Sequence, residues 1–187
     1  MRLVEKVHAS LAETLRAGDV AIDATIGNGH DLLFLCRLVG ASGMVHGFDL
    51  QEDALASSKR RLKEAGMLDR CALYHAGHEN MAVILPPEIR RRTQAITFNL
   101  GFLPGSDKSI VTRPSTTIAG LKASAEWLAP NGLLTVTTYR GHPGGREEAQ
   151  AVEDHFSALS TQDYEISTET TGVDADSPLA FLVRKKS

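Results

Sequence analysis

Short apolar runs alternate with amphipathic stretches of helical period five times along this 187-residue chain, and two more apolar runs close it with no helix between them. That order is the strongest constraint on the fold. Strands separated by helices can pair in parallel through right-handed crossovers, whereas a final pair joined by a short turn must run antiparallel. The sequence therefore predicts an α/β protein with a doubly wound, seven-stranded, mostly parallel sheet whose antiparallel last strand enters as a hairpin edge.

The periodicity places helices over VEKVHASLAETL, residues 31–39, QEDALASSKRRLKEAG, the short ENMAVIL, STTIAGLKASAEWL and GREEAQAVEDHFSAL. Strands fall on DVAIDA, MVHGFDL, CALYHA, AITFNL and LLTVTTY, the last launched by an APNG turn, and then on YEISTET and LAFLVRK. With 42% hydrophobic residues the chain can bury a core of its own, and its length fits one domain spanning residues 1–187. Twenty Lys and Arg against 23 Asp and Glu give a net charge of -3, which excludes a global basic field for nucleic acid and leaves only local patches. Cys36 and Cys71 lie in apolar segments, as buried free thiols do in a reducing compartment. No run reaches the length of a membrane span, so the expectation is a soluble, cytoplasmic protein.

In such sheets ligands bind beyond the carboxyl ends of the strands, where strand order reverses. The stretch DATIGNGHD, residues 23–31, leaves the first strand at that point. Gly27 and Gly29 allow a sharp turn and a close approach to a ligand, and Asp31 opens the next helix, where it can cap free amides. Leu32 occupies the position at which a dinucleotide fingerprint needs a third glycine, which disfavours NAD. The succession Asp23, Thr25, Gly27, Gly29 fits a loop that holds S-adenosylmethionine, with Asp23 facing the ammonium end and the loop through Asp31 binding this donor. Asp49, 22 residues after Gly27 at the end of the second strand, can accept two hydrogen bonds from ribose hydroxyls.

A second polar stretch, FNLGFLPGSDKSIVT at residues 98–112, leaves strand four. Asn99 is delivered to the cleft, and its amide oxygen with neighbouring backbone carbonyls can align the lone pair of an amine. Asn99, Leu100, Gly101 and Phe102 look like a variant of the Asn/Asp-Pro-Pro-Tyr signature of methyltransferases that act on amino nitrogens. Leu100 and Gly101 replace both prolines. Asn99, Leu100 and Phe102 form the candidate catalytic set.

DATIGNGHDLLFL, FDLQ, FNLGFLPGSDKSIVT and YRGHPGGREE occur in the order found in the family first labelled predicted rRNA methylases and typified by bacterial tRNA 5-(aminomethyl)-2-thiouridine methyltransferases. The similarity runs from about residue 3 to the final strand. It implies a minimal class I methyltransferase fold and N-methylation, with S-adenosylmethionine, of the aminomethyl group on a wobble uridine in the anticodon region of tRNA. Asn28 with its glycine neighbours, Asp49 and Gln51 would contact the cofactor, and Asn99 would face the amine. Phe102 stands where relatives often carry Tyr, so a phenolic hydroxyl is lacking there.

The remaining polar residues leave choices open. His75 and His78, three apart, with His30 and His142 do not have the spacing of a zinc set, so no metal is expected, and His78 is a candidate for the donor pocket. Lys108, Arg113, Arg140 and Arg146 flank the substrate-side loops and could pair with phosphates, with Tyr139 and His142 beside them. The charges of SKRRLK and of Arg90–Arg92 read as solvated surface or as basic patches. A homodimer would widen the RNA surface of so small a subunit. Methylation of another RNA or a small amine, or a regulatory module that binds the donor without turnover, are the alternatives.

Overall fold

The computed structural model describes residues 1–101, 112–174 and 176–187. Strands β1 (Val20–Asp23), β2 (Met44–Asp49), β3 (Cys71–His75), β4 (Thr93–Asn99), β5 (Leu128–Thr138), β6 (Tyr164–Thr170) and β7 (Leu179–Lys185) form one sheet in the order β3-β2-β1-β4-β5-β7-β6. The pairs among β1 to β5 are parallel, and β7 runs antiparallel to both of its neighbours. The chain winds outward from β1 to β3, then returns to lay β4 on the other side of β1. The tips of β1 and β4 thus border the crevice at which strand order reverses.

Helices cover both faces, as parallel strands buried on two sides require. On one face lie α1 (Leu3–Thr14), α2 (His30–Val39) and α3 (Glu52–Glu64), whose Leu11, Leu35 and Leu62 pack with Ala21, Val45 and Ala95 of the sheet. On the other lie α4 (Met81–Ile84), α5 (Pro114–Trp127) and α6 (Gly145–Ser157), where Met81, Leu121 and Phe156 meet Ile22, Ile96 and Phe181. Neighbouring residues Ala21 and Ile22 thus serve opposite cores, the alternation that a strand imposes.

The sheet departs from the sequence expectation at its edge. The last strand is not the edge: β7 inserts between β5 and β6, leaving β6 outside. Composition explains the order, because Ala180, Phe181, Leu182 and Val183 are buried whereas most of YEISTET is exposed. A polar, charged edge strand also discourages pairing with another chain. The expected APNG turn is absorbed into an irregular start of β5, with Asn131 in a left-handed conformation that Asn tolerates and a shift of register against β4. Cys36 is buried and Cys71 half-buried, both as free thiols. Among the described residues no helix is long and apolar enough to cross a membrane.

Gly47 on β2 shows how closely α2 and its preceding loop approach the sheet. A Cβ there would stand 2.7 Å from Cγ2 of Ile26 and 3.1 Å from Cδ1 of Leu32. Ile is stiff at χ1, so relief requires the loop itself to shift. Gly47→Ala is expected to cost about 1–3 kcal/mol in urea unfolding, the usual range for overpacking.

Candidate active site

The loop after β1 is built to stay open yet rigid. Gly27 and Gly29 adopt φ of 50° and 75°, and a Cβ on Gly29 would lie 2.5 Å from Oγ of Ser58 on α3. That proximity lets α3 brace the loop: Ser58 Oγ donates to the Gly27 carbonyl at 3.3 Å and Arg61 Nε to the Asn28 carbonyl at 2.9 Å. Asp49 holds it from β2, with Oδ2 accepting from the Gly27 amide at 2.9 Å and Oδ1 from the Gln51 amide at 2.9 Å. Each carboxylate oxygen keeps a second lone pair, so Asp49 can still accept from a ligand hydroxyl. Ser58 and Arg61, inside the charged run, are functional supports that charge patterning alone did not separate from solvated surface.

Across the crevice, the tip of β4 is tied to the same loop. The Asn99 amide nitrogen of the backbone donates to Thr25 Oγ1 at 2.7 Å, and the side-chain Nδ2 donates to Asp31 Oδ2 at 2.7 Å. The second Asp31 oxygen is 2.7 Å from Nε2 of His8 on α1. This corrects the capping expectation for Asp31: Gly29 occupies the N-cap of α2, no side chain caps the helix, and the carboxylate turns sideways to His8 and Asn99. With Nδ2 committed, the Asn99 oxygen is the amide atom left to accept from a bound group.

The strand exit continues into a pinned neck. Gly101 and Thr112 pair through backbone and hydroxyl, and Thr112 Oγ1 donates to Glu148 Oε2 at 2.7 Å while Thr117 Oγ1 donates to Oε1 at 2.6 Å. Glu148 is buried on α6. Nothing in its local sequence marks it, because both hydroxyl partners lie more than thirty residues away. Phe102 and Lys108 lie outside the described residues.

These elements enclose a cavity of about 600 Å³, within the usual range for small-molecule sites. Thr25, Gly27, Asn28, Asp49, Gln51 and His78 line one end. Asp31, Asn99, Leu100, Tyr139 and His142 line the other, where Arg140 and Asp176 also reach the wall. Three expected residues stand elsewhere: Asp23 is fully buried beneath the loop, Gly29 faces α3, and Arg113 is exposed at the head of α5. Arg146 is paired with Asp176 at 2.9 and 3.0 Å. His75 and His78 point apart, His75 meeting the Leu50 carbonyl at 2.9 Å in an exposed position and His78 lying buried against Phe98. No group of three His, Cys, Asp or Glu side chains converges among the described residues.

Burial sets the electrostatics. It pushes the Asp23 carboxyl well above the usual range, and the nearby Asp31 and Asp49 push it the same way. Burial also raises Asp31, but His8 and Asn99 outweigh it and hold that carboxyl below the ordinary range. Burial lowers His78 against the opposing pull of Glu79, keeping the ring neutral, and its buried Nε2 has no hydrogen-bond partner among the described residues. Burial and the Asp31 charge raise Tyr139.

A sequence profile described as "Putative rRNA methylase" matches residues 45–184. The chain belongs to that family. A chloroplastic protein of Arabidopsis thaliana named tRNA (mnm(5)s(2)U34)-methyltransferase is 39% identical over 171 residues, 87% of this chain and 62% of the relative. The chain thus spans less than two thirds of that relative's length. The crystal structure of a "putative rRNA-methylase" from Clostridium thermocellum superposes with a TM-score of 0.93 at 33% identity, covering 99% of this chain and 98% of the other. A "putative methyltransferase" from Streptococcus mutans, crystallised in complex with SAH, gives 0.87 at 29% identity over 99% and 98% of the two chains. Within the family, the sheet and crevice described here are the class I methyltransferase architecture.

The buried Asp23 yields a test. Its pKa is raised in the fold, so its contribution to stability is intact below the ordinary carboxyl range and is lost progressively as pH rises above it. Asp23→Asn is expected to melt with the parent protein near pH 4 and above it at pH 8. Thermal denaturation across that range is the measurement, and equal melting of variant and parent at both pH values would contradict a raised Asp23 carboxyl.

Proposed function

We propose that this chain is an S-adenosylmethionine-dependent N-methyltransferase whose acceptor is the aminomethyl group of 5-aminomethyl-2-thiouridine at the tRNA wobble position. One observation carries the reading. The Asn99 amide, its nitrogen committed to Asp31, shares a single cavity with the glycine loop and Asp49. The family and the name of the Arabidopsis relative support it.

The donor end of the cavity fits a nucleoside with a charged tail. Asp49 offers lone pairs for vicinal hydroxyls, Phe48 and Leu50 flank it, and the buried His78 adds a neutral ring whose Nε2 lacks a partner among the described residues. Asp23 acts beneath the loop, through Thr25, whose amide donates to Asp23 Oδ1 at 3.2 Å. The bound donor supplies a methyl carbon made electrophilic by the attached sulfonium. The protein supplies position: Asn99 Oδ1 accepts from an amine N–H and turns the nitrogen lone pair toward that carbon. Effective molarities of well-oriented groups are large enough for such alignment to provide much of the rate.

At the acceptor end, the half-exposed Tyr139 offers a face for a base, and Arg140 offers charge for phosphates. A wobble base is already unpaired in the anticodon loop, so a small enzyme reaches it without opening a duplex. The expected cytoplasmic setting and a homodimer belong to the same proposal.

Two variants separate the ends of the site. Asp49→Ala is expected to weaken donor binding by about 1–3 kcal/mol, since it removes acceptors from a ligand and releases the Gly27 amide. Asn99→Ala is expected to leave donor affinity within about twofold and to lower turnover, the signature of an interaction made in the transition state. Calorimetry with the donor and methyl transfer to tRNA that carries the aminomethyl group read these effects. Ribosomal RNA assayed beside it tests the other substrate: label in rRNA alone would overturn the tRNA reading.

A further inference from the structure

His8 and Asp31 meet behind the acceptor end of the cavity. His8 projects from α1, lies flat on Phe34 of α2 with ring centroids 3.8 Å apart, and reaches Asp31 Oδ1 at 2.7 Å. Asp31 then holds Asn99 Nδ2 through Oδ2 at 2.7 Å. The two links form one chain, His8 to Asp31 to Asn99, that runs from the surface helix to the tip of β4. Asp31 and Asn99 both line the cavity, while His8 stands behind them. The profile match begins at residue 45 and covers neither His8 nor Asp31.

The arrangement has two physical effects. An amide side chain can present oxygen or nitrogen with nearly the same shape, and only its partner decides which. A carboxylate accepts and cannot donate, so it selects the nitrogen and leaves the oxygen facing the acceptor amine. A carboxylate near that amine also matters to charge. As the neutral amine gains a methyl group, positive charge arrives on nitrogen, and a fixed negative group nearby lowers the energy of that arrival. Both effects require a carboxylate whose rotamer does not wander and whose charge is retained. His8, held by its stack on Phe34, supplies both conditions from behind. Tyr139 from the exit of β5, His30 from α2 and the buried Asp23 from β1 are the other titratable groups that sense Asp31.

We propose that His8 is a positioning residue for amine methylation: through Asp31 it orients the Asn99 amide and sets a fixed carboxylate beside the acceptor nitrogen, fitting the site to primary aliphatic amines. This rests on the methyltransferase reading above. It shifts Asp31 from the donor end to the acceptor end.

The test uses the full chain with two substitutions at one position. His8→Phe preserves the stack on Phe34 and removes the hydrogen bond; His8→Gln retains an N–H for Asp31. With 5-aminomethyl-2-thiouridine tRNA as acceptor, His8→Phe is expected to lower kcat roughly 10- to 100-fold, by analogy with outer partners that orient metal ligands. Donor affinity by calorimetry is expected to stay within about twofold, and His8→Gln is expected to recover most of the lost rate. Carbon-13 NMR of the Asp31 carboxyl gives a readout independent of turnover: its titration should move to higher pH in His8→Phe. Equal rates for His8→Phe and the parent protein, or an unmoved Asp31 titration, would overturn the proposal. So would a Gln variant as slow as the Phe variant when both are folded by circular dichroism. Failure of the parent protein to methylate any amine would instead overturn the methyltransferase reading and this proposal with it.

Discussion

The site depends on the tips of β1 and β4 being locked together by side chains rather than by the sheet alone. Parallel pairing sets Asp23 opposite Thr97, but β1 ends there, and Thr25, Asp31 and Asn99 all lie beyond that pair. Two hydrogen bonds bridge the gap: Thr25 Oγ1 receives the Asn99 backbone amide, and Asp31 receives the Asn99 side chain. The first fixes where the strand tip stands, and the second fixes which way its amide faces. Without them the glycine loop and the acceptor end would be separate pieces of surface.

The same economy governs the loop itself. Its glycines leave backbone amides and carbonyls exposed to a ligand, and an unsupported loop of that kind would be mobile. Asp49 accepts an amide from it, while Ser58 and Arg61 donate to its carbonyls from the opposite side. A rigid cradle held by groups that do not themselves fill the cavity is what preorganisation requires. Glu148 performs the corresponding service near the exit of β4, where its two oxygens take the hydroxyls of Thr112 and Thr117. Because the proposed chemistry is alignment of an amine with a methyl carbon, rigidity at both ends is the catalytic resource.

Much of this architecture was legible in the chain. The switch between period-two and helical patterning located the elements to within a few residues, and Gly27, Asp49 and Asn99, which line the cavity, stood out because turns and strand ends carry local signatures. The place of β7 was harder to read, since strand order depends on which apolar strand buries best rather than on chain order. The role of Asp31 was misjudged for a similar reason: a carboxylate in a first helical turn is usually a cap, and its partners here come from positions 8 and 99. His8 did leave a trace, as a histidine within the apolar stripe of α1 beside Val7 and Leu11. Glu148 and Arg61 left none, because their partners are fixed only by the tertiary fold.

A structure of the protein with SAH and an anticodon stem-loop bearing 5-aminomethyl-2-thiouridine tests the central claim most directly. The aminomethyl nitrogen is expected about 3 Å from Asn99 Oδ1, the ordinary hydrogen-bond distance, and pointing at the sulfur across the cavity. An amine bound away from Asn99, with the base seated at another face of the protein, would contradict it.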